Sequence, residues 1–363
     1  MTPAAPLRVL FLQQQPCVRT LKYGAALRAT RPNLEVGFAF EGQTLSDWYG
    51  TGDDLFDRWW RLGPEPGADL ARVVREFRPD LVHSHNLPDS LTVLAQEICG
   101  DRVPVVHDVH DLQSLRRTPY EAGFPEPEDP LVLEQRAVEH SAAVIAVSDE
   151  MLAEMEARYT VPGQRLVFPN YALGRDLPAT LPPPDRRRDG GWRVVYQGTL
   201  STNGGHYDLR DIFQAIVAAG VGLDVYPGRP APAYEELAAA LPGLRCHDTL
   251  PPAKLLEVLP TYDFGWAGFN ATRNRPHLDT ALPNKAFEYV GCGLPVLTLD
   301  HRALARLVTE EGVGASFDSV DDLDERLRAL DLVALRRRTA EVRHRFTVEA
   351  HAGRLAALYE AVA

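Results

Sequence analysis

Short apolar runs alternate with amphipathic stretches twice over in this 363-residue chain, with a break rich in Pro, Arg, Asp and Gly over Leu177 to Gly191 between the two series. A short apolar run flanked by amphipathic segments marks a β-α unit whose strand lies in a parallel sheet covered on both faces. The first series predicts strands at Arg8–Leu12, Glu35–Phe40, Leu81–His83, Val103–His107 and Ala143–Val147. Helices are predicted at Val18–Ala29, Ala68–Phe77, Ser90–Ile98 and Leu131–His140. After the break, strands restart at Arg193–Tyr196, Gly222–Tyr226, Leu244–His247, Phe264–Ala267 and Pro295–Leu299. The expected fold class is α/β, with two doubly wound Rossmann-like domains whose parallel sheets face across a cleft. Residues 1–175 form the first domain, 176–191 a linker and 192–347 the second domain.

Charge removes several function classes. The formal net charge is −12, and no basic face of any length is present, which excludes the phosphate-neutralising surface of a nucleic-acid binder. Arg186-Arg187-Arg188 and Arg336-Arg337-Arg338 read as solvated local charge. Cys17, Cys99, Cys246 and Cys292 are far apart and include no Cys-x-x-Cys pair, a pattern that disfavours a zinc site or a disulfide framework and fits a reducing cytoplasm. No apolar run approaches the roughly 18 residues of a membrane span, and the apolar stretch after the N-terminus is too short for a secretory signal. A cytoplasmic protein is expected, with membrane contact no more than transient.

Chemistry concentrates in Thr280 to Asp300, TALPNKAFEYVGCGLPVLTLD. Pro283 suits a first helical turn, Lys285 and Glu288 fall on one helix face, and Gly291 and Gly293 can end the helix before the Pro295–Leu299 strand. A helix N-terminus carries an effective charge of about +0.5 and attracts phosphate. Lys285 adds a cation and Glu288 can accept from ribose hydroxyls, so the segment suits a nucleotide diphosphate. Two solvated charges on an amphipathic helix are the plainer reading.

This segment resembles the donor-nucleotide motif of the retaining GT-B glycosyltransferases of family 4, the "group 1" set, in a Pro-x-Lys-x-Phe-Glu-Tyr variant followed by Gly-x-Pro-Val. The resemblance implies that Glu288 holds the donor ribose, that Lys285 sits by the phosphates, and that the main chain at Leu282, Pro283 and Asn284 cradles the diphosphate. It also implies that the final helix, residues 348–363, crosses back onto the first domain. The fuller family pattern has a second Glu where this chain has Thr280, so that carboxylate's role does not carry over.

Further positions follow from strand ends. The turn after Arg193–Tyr196 contains Gly198, Thr199 and Asn203, and its backbone N–H groups can approach phosphate. The family often has an Arg and a Lys at Thr199 and Asn203; their replacement leaves Lys285 as the main cation, with Arg229, Arg273 and Arg275 as substitutes. Arg245 to Pro251, with His247 and Leu250, resembles the segment whose main chain holds the donor base. Phe269 and Asn270 are positioned to meet the donor sugar or to be ordinary loop residues. In the first domain, His107-Asp108-Val109-His110-Asp111 suggests metal at first sight, but an extended chain points alternate side chains to opposite faces. It resembles the family's Asp-x-His-Glu/Asp loop, which implies that His110 lies near the reacting sugar and that Asp111 can orient it. His107 and Asp108, further inside the strand, read as structural. His85 and Asn86 match the family's His-x-His loop and shape the acceptor side. Arg19 and Lys22 stand where many relatives have a Gly-Gly loop.

The expected function is transfer of a sugar from a UDP, GDP or dTDP sugar to an unassigned acceptor, with retention, no cofactor and no metal. His110, Lys285 and Glu288 are the expected catalytic residues. The one Asp-x-Asp, Asp322-Leu323-Asp324, lies in an acidic surface-type helix. A nicotinamide dehydrogenase is excluded because the first βα turn, Gln13 to Cys17, has no glycine. A degenerate relative that binds a nucleotide sugar or partner transferase without turnover is the alternative.

Overall fold

The computed structural model describes residues 6–31, 33–117, 128–186 and 191–363. The chain forms two compact units, Met1–Pro169 with Val348–Ala363, and Asn170–Thr347. In the first, strands β1 (Leu7–Gln13), β2 (Leu34–Phe40), β3 (Arg58–Arg61), β4 (Leu81–His85), β5 (Val105–Val109), β6 (Ala143–Ala146) and β7 (Gln164–Val167) make one parallel sheet in the order β3-β2-β1-β4-β5-β6-β7. Its helices are α1 (Val18–Thr30), α2 (Leu45–Tyr49), α3 (Pro66–Phe77), α4 (Asp89–Cys99), α5 (Pro130–Glu139) and α6 (Asp149–Glu156).

The second unit has strands β8 (Arg193–Gly198), β9 (Gly222–Pro227), β10 (Leu244–Cys246), β11 (Phe264–Trp266), β12 (Val296–Leu299) and β13 (Gly314–Phe317), all parallel, in the order β10-β9-β8-β11-β12-β13. Its helices are α7 (Arg210–Ala218), α8 (Pro232–Ala240), α9 (Pro252–Val258), α10 (Arg275–Leu278), α11 (Asn284–Gly291), α12 (Arg302–Glu310), α13 (Leu323–Arg328) and α14 (Leu332–Val342). The last helix, α15 (Val348–Val362), belongs to the first unit, where it packs against α1 and β7.

Each sheet reverses its strand order once, between β1 and β4 and between β8 and β11. In open parallel sheets ligands bind beyond the carboxyl ends of the strands at such a reversal. The central strands are continuous apolar runs because both of their faces are covered: Val9 to Leu12, Val194 to Tyr196 and Val296 to Leu297 are fully buried. The strands that the sequence pattern misses, β3, β7 and β13, all lie at sheet edges. There one side meets solvent, so RWWR and QRLV carry charge and lose the apolar signature.

The described part of the proline-rich break is docked on the second unit. Leu177 and Leu181 pack on Gly291 and Gly293, and Arg186 donates to the carbonyls of Thr261 and Tyr262 at 2.8 Å each. Residues 187–190, including Arg187 and Arg188 of the first arginine cluster, lie outside the described residues. The second cluster corrects the expectation of solvated charge: Arg336 faces inward on α14 and pairs with the buried Asp263 at 2.8 Å.

Candidate functional site

The strand reversal of the second unit is built around α11. Gly265 of β11 leaves room for the Tyr289 ring, which a Cβ at that position would meet at 2.4 Å. The Tyr289 hydroxyl accepts from Gln197 N–H at 3.0 Å and lies 3.3 Å from the carbonyls of Val195 and Trp266, tying α11 to β8 and β11. The helix opens at Asn284 behind Pro283, whose own nitrogen has no hydrogen to donate, and Ala286 N–H closes on Pro283 O at 3.1 Å. Gly293, with φ +71°, lies just beyond the C-terminus of α11.

Lys285 on the first turn is 93 % buried, and its ammonium makes no hydrogen bond. It sits 3.9 Å from the Tyr196 ring centroid and 5.4 Å from that of Phe269. Burial pulls its pKa down to about 7, against a smaller upward pull from Glu288. Facing it is Gly198 at the end of β8, with φ +122°; a Cβ there would lie 3.4 Å from Nζ and hold a conformation that side-chain-bearing residues rarely adopt. Glu288 accepts from Gln197 Nε2 at 2.6 Å, and the other amide atom, Oε1, is buried without a partner. Burying an ammonium with no hydrogen-bond partner is costly, which is why its pKa falls. It is set against a helix N-terminus and a glycine turn near the strand reversal, an arrangement chemically suited to an anion.

Other expected positions serve the loops. Thr199 O accepts from Tyr196 Oη at 2.6 Å, and Asn203 Oδ1 accepts from Gly205 N and Ser201 Oγ, which fixes the turn. Leu282 is buried, and its carbonyl accepts from Asn170 Nδ2 at 2.8 Å. Phe269 is also buried, its N–H donating to His301 Nε2 at 3.0 Å; burial pushes the His301 imidazole down to about 4, so this nitrogen is a neutral acceptor. The Asn270 amide bridges Asp208 O and Thr272. His247 stacks on Tyr226 at 4.4 Å and contacts Asp224 through Nε2 at 2.5 Å, while Leu250 is half-buried. Thr280 donates to His277 O at 2.8 Å. Among the substitute cations, Arg275 pairs with Asp279 and Asp300, Arg273 lies beside Gly204, and Arg229 is exposed. Asp324 of the Asp-x-Asp pairs with Arg328 on α13.

The reversal in the first unit holds a different arrangement. Asp108 is fully buried, and Arg19 donates to both of its oxygens at 3.0 Å. Burial pushes the Asp108 carboxyl up, but Arg19, His110 and His83 together hold it well below the usual carboxylate range. His83 Nε2 lies 3.2 Å from Asp108 Oδ2, and His83 Nδ1 lies 2.6 Å from the hydroxyl of Tyr359 on α15. His85 Nδ1 is 3.1 Å from His110 Nε2, whose side chain is 18 % exposed. Asn86 clamps this loop, donating to Asp111 O at 2.6 Å and accepting from His110 N–H at 2.8 Å. Asp108 Oδ1 lies 3.7 Å from His110 Nε2, and Asp111 lies 3.9 Å from Arg116. Alternation along β5 explains this: His107 turns the other way, to Thr92 and Asp89. Among the described residues, His83, His85 and Asp108 have metal-ligand atoms within 4.8 Å of one another, and Arg19 already supplies the positive charge on that carboxylate.

Sequence reading missed Gln197, Tyr196, Asp108 and Tyr359 as parts of these sites. Only the alternation rule pointed to Asp108, and nothing local marks Tyr359, whose partner His83 lies 276 positions away.

Both units have the Rossmann-like architecture of the GT-B glycosyltransferases, and solved structures of that class match nearly the whole chain. Sucrose-phosphate synthase from Thermosynechococcus elongatus superposes with TM-score 0.72 at 15 % identity, covering 98 % of this chain and 99 % of that one. Anabaena HepE in complex with UDP-glucose gives TM-score 0.73 at 14 % identity, covering 98 % and 100 %. Residues 49–170 match the family model "Glycosyltransferase Family 4". A D-inositol 3-phosphate glycosyltransferase of Jonesia denitrificans is 32 % identical over 119 residues, 32 % of this chain and 27 % of the relative. That match spans about a quarter of the relative's length.

Proposed function

We propose that the chain transfers a sugar from a nucleotide-sugar donor to an acceptor, with retention at the anomeric carbon and without a metal. The observation that carries this reading is the buried, unpartnered Lys285 ammonium facing the Gly198 turn at the start of α11. A diphosphate there would restore charge balance, and the charge that grows on it as the glycosidic bond breaks would be stabilised by Lys285 and the helix terminus. Glu288, oriented by Gln197, would hold the ribose. His110 would meet the reacting sugar. The family match over residues 49–170 supports a transferase. HepE has been solved with UDP, with UDP and glucose, and with UDP-glucose, so a uridine donor is the first to test.

The experiment is a panel of UDP, GDP and dTDP sugars incubated with the full chain and then with metal removed by chelator. Slow hydrolysis of one donor with retained anomeric configuration, unaffected by chelation and lost in Lys285→Ala, is the expected result. Inverted product, or a chelator-sensitive reaction, would overturn the mechanism; binding of no nucleotide would overturn the function.

A further inference from the structure

Along the pairing of β11 with β12, Gly265 N–H donates to Pro295 O at 2.9 Å and Ala267 N–H to Leu297 O at 2.8 Å. A parallel ladder is evenly spaced, so the next rung would take Phe269 N–H to Leu299 O. That carbonyl is already engaged, by His301 N–H at 2.7 Å and by the Thr298 hydroxyl at 2.9 Å. Phe269 is buried, a buried N–H needs an acceptor, and His301 Nε2 supplies it at 3.0 Å. The direction of this bond is fixed, because a backbone N–H can only donate. Burial holds the fully buried imidazole down to about 4, with Arg275, Asp279 and Asp300 as the charged groups that face it. Above that value the ring is neutral and its Nε2 lone pair is available to Phe269. His301 Nδ1 is buried without a partner, so the bond to Phe269 is the ring's one hydrogen bond among the described residues.

The side chain that this bond aims is an aromatic cover. The Phe269 ring centroid lies 5.4 Å from the Lys285 ammonium, within cation–π range, and the Tyr196 ring of β8 lies 3.9 Å from it. We infer that His301 is a positioning residue: by accepting the Phe269 N–H where the strand carbonyl is taken, it holds the Phe269 ring over the Lys285 ammonium and keeps water from the cation that the anion meets. The inference rests on the proposed function only for the identity of that anion. Glu288 from its own helix and Tyr196 from β8 are the ionisable groups that face the ammonium. Loss of the Phe269 cover leaves both in place and admits water, so Lys285 should hold its proton to higher pH.

The test uses the full chain, whose three lysines are Lys22, Lys254 and Lys285. Carbon-13 spectra of lysine-labelled protein follow each amine through a pH titration without any ligand, and Lys285→Met assigns the signal. Lys285 is expected to titrate near 7 in the wild type and at least about one pH unit higher, a tenfold change in proton affinity, in His301→Leu. His301→Gln carries an amide oxygen at about the reach of Nε2 and should keep the wild-type midpoint. Phe269→Ala should raise the midpoint as His301→Leu does, and adding His301→Leu to it should raise it no further. Should His301→Leu not fold, His301→Asn, whose amide is too short to reach Phe269, takes its place with the same expected rise. An ordinary midpoint near 10.5 in the wild type, an unchanged midpoint in the folded His301 variant, an equal rise in His301→Gln, or a further rise in the double variant would each overturn the inference. With a nucleotide that binds, the pH at which affinity begins to fall should move up together with the lysine midpoint. Binding of no nucleotide by the wild type would instead strike the proposed function, leaving the lysine titration to decide this inference.

Discussion

Asp108 on β5 and Lys285 at the start of α11 are each buried near the strand reversal of their own Rossmann-like unit, and their surroundings differ in kind. Asp108 has a guanidinium on both oxygens and a histidine N–H besides, so its charge is balanced within the protein. Lys285 has aromatic rings, a glycine turn and one carboxylate neighbour already engaged by Gln197. The first arrangement is charge-balanced within the protein; the second, on our proposal, takes an anion. Burial of a charge is therefore weak evidence of function until its partners are counted.

The contrast is broken most severely at Asp108. Asp108→Ala strands the Arg19 guanidinium in the interior, and urea unfolding should show a loss of about 3–5 kcal/mol. Lys285→Met should do the opposite, raising the stability of the ligand-free protein by about 1–3 kcal/mol because it removes a buried group with no partner. The pH dependence follows in sign. Since the folded lysine has a value near 7 and the unfolded one its ordinary 10.5, the unfolded state binds the extra proton between those values. Wild-type stability relative to Lys285→Met should accordingly rise as pH rises from about 7 to about 10.5, and denaturation at several pH values would reveal a flat difference if the site were already charge-balanced. Gly198→Ala should cost about 1–2 kcal/mol through its positive φ and weaken nucleotide binding by crowding Nζ. The smallest effect belongs to Arg275→Ala, below about 1 kcal/mol, because its pairs with Asp279 and Asp300 are exposed; a large drop in nucleotide affinity there would move the phosphate contact away from Lys285.

Much of this was legible beforehand, for identifiable reasons. Buried central strands announce themselves as apolar runs, so β1, β2, β8 and β9 were predicted nearly to their ends. Edge strands β3, β7 and β13 were hidden because solvent replaces one neighbour. Lys285 and Glu288 could be read from a helix start with a proline before it and glycines after it. What the sequence does not carry is orientation at a distance: that Gln197 engages Glu288, that Asp108 lies beside His110, and that Tyr359 reaches His83. The arginine run on α14 misled because one of its members turns inward to Asp263, and a run of like charges does not reveal which face of the helix is covered.

Binding of a diphosphate by Lys285 is read by calorimetric titration of UDP, GDP and dTDP into the full chain between pH 6.5 and 9. Binding must protonate Lys285, so wild-type affinity should fall as pH rises above about 7, approaching tenfold per unit, with proton uptake visible as a dependence on buffer ionisation heat. In Lys285→Met the affinity at pH 7 should be lower by about 10- to 100-fold and should lose that slope. Equal affinity and equal pH dependence in the two proteins would contradict the claim.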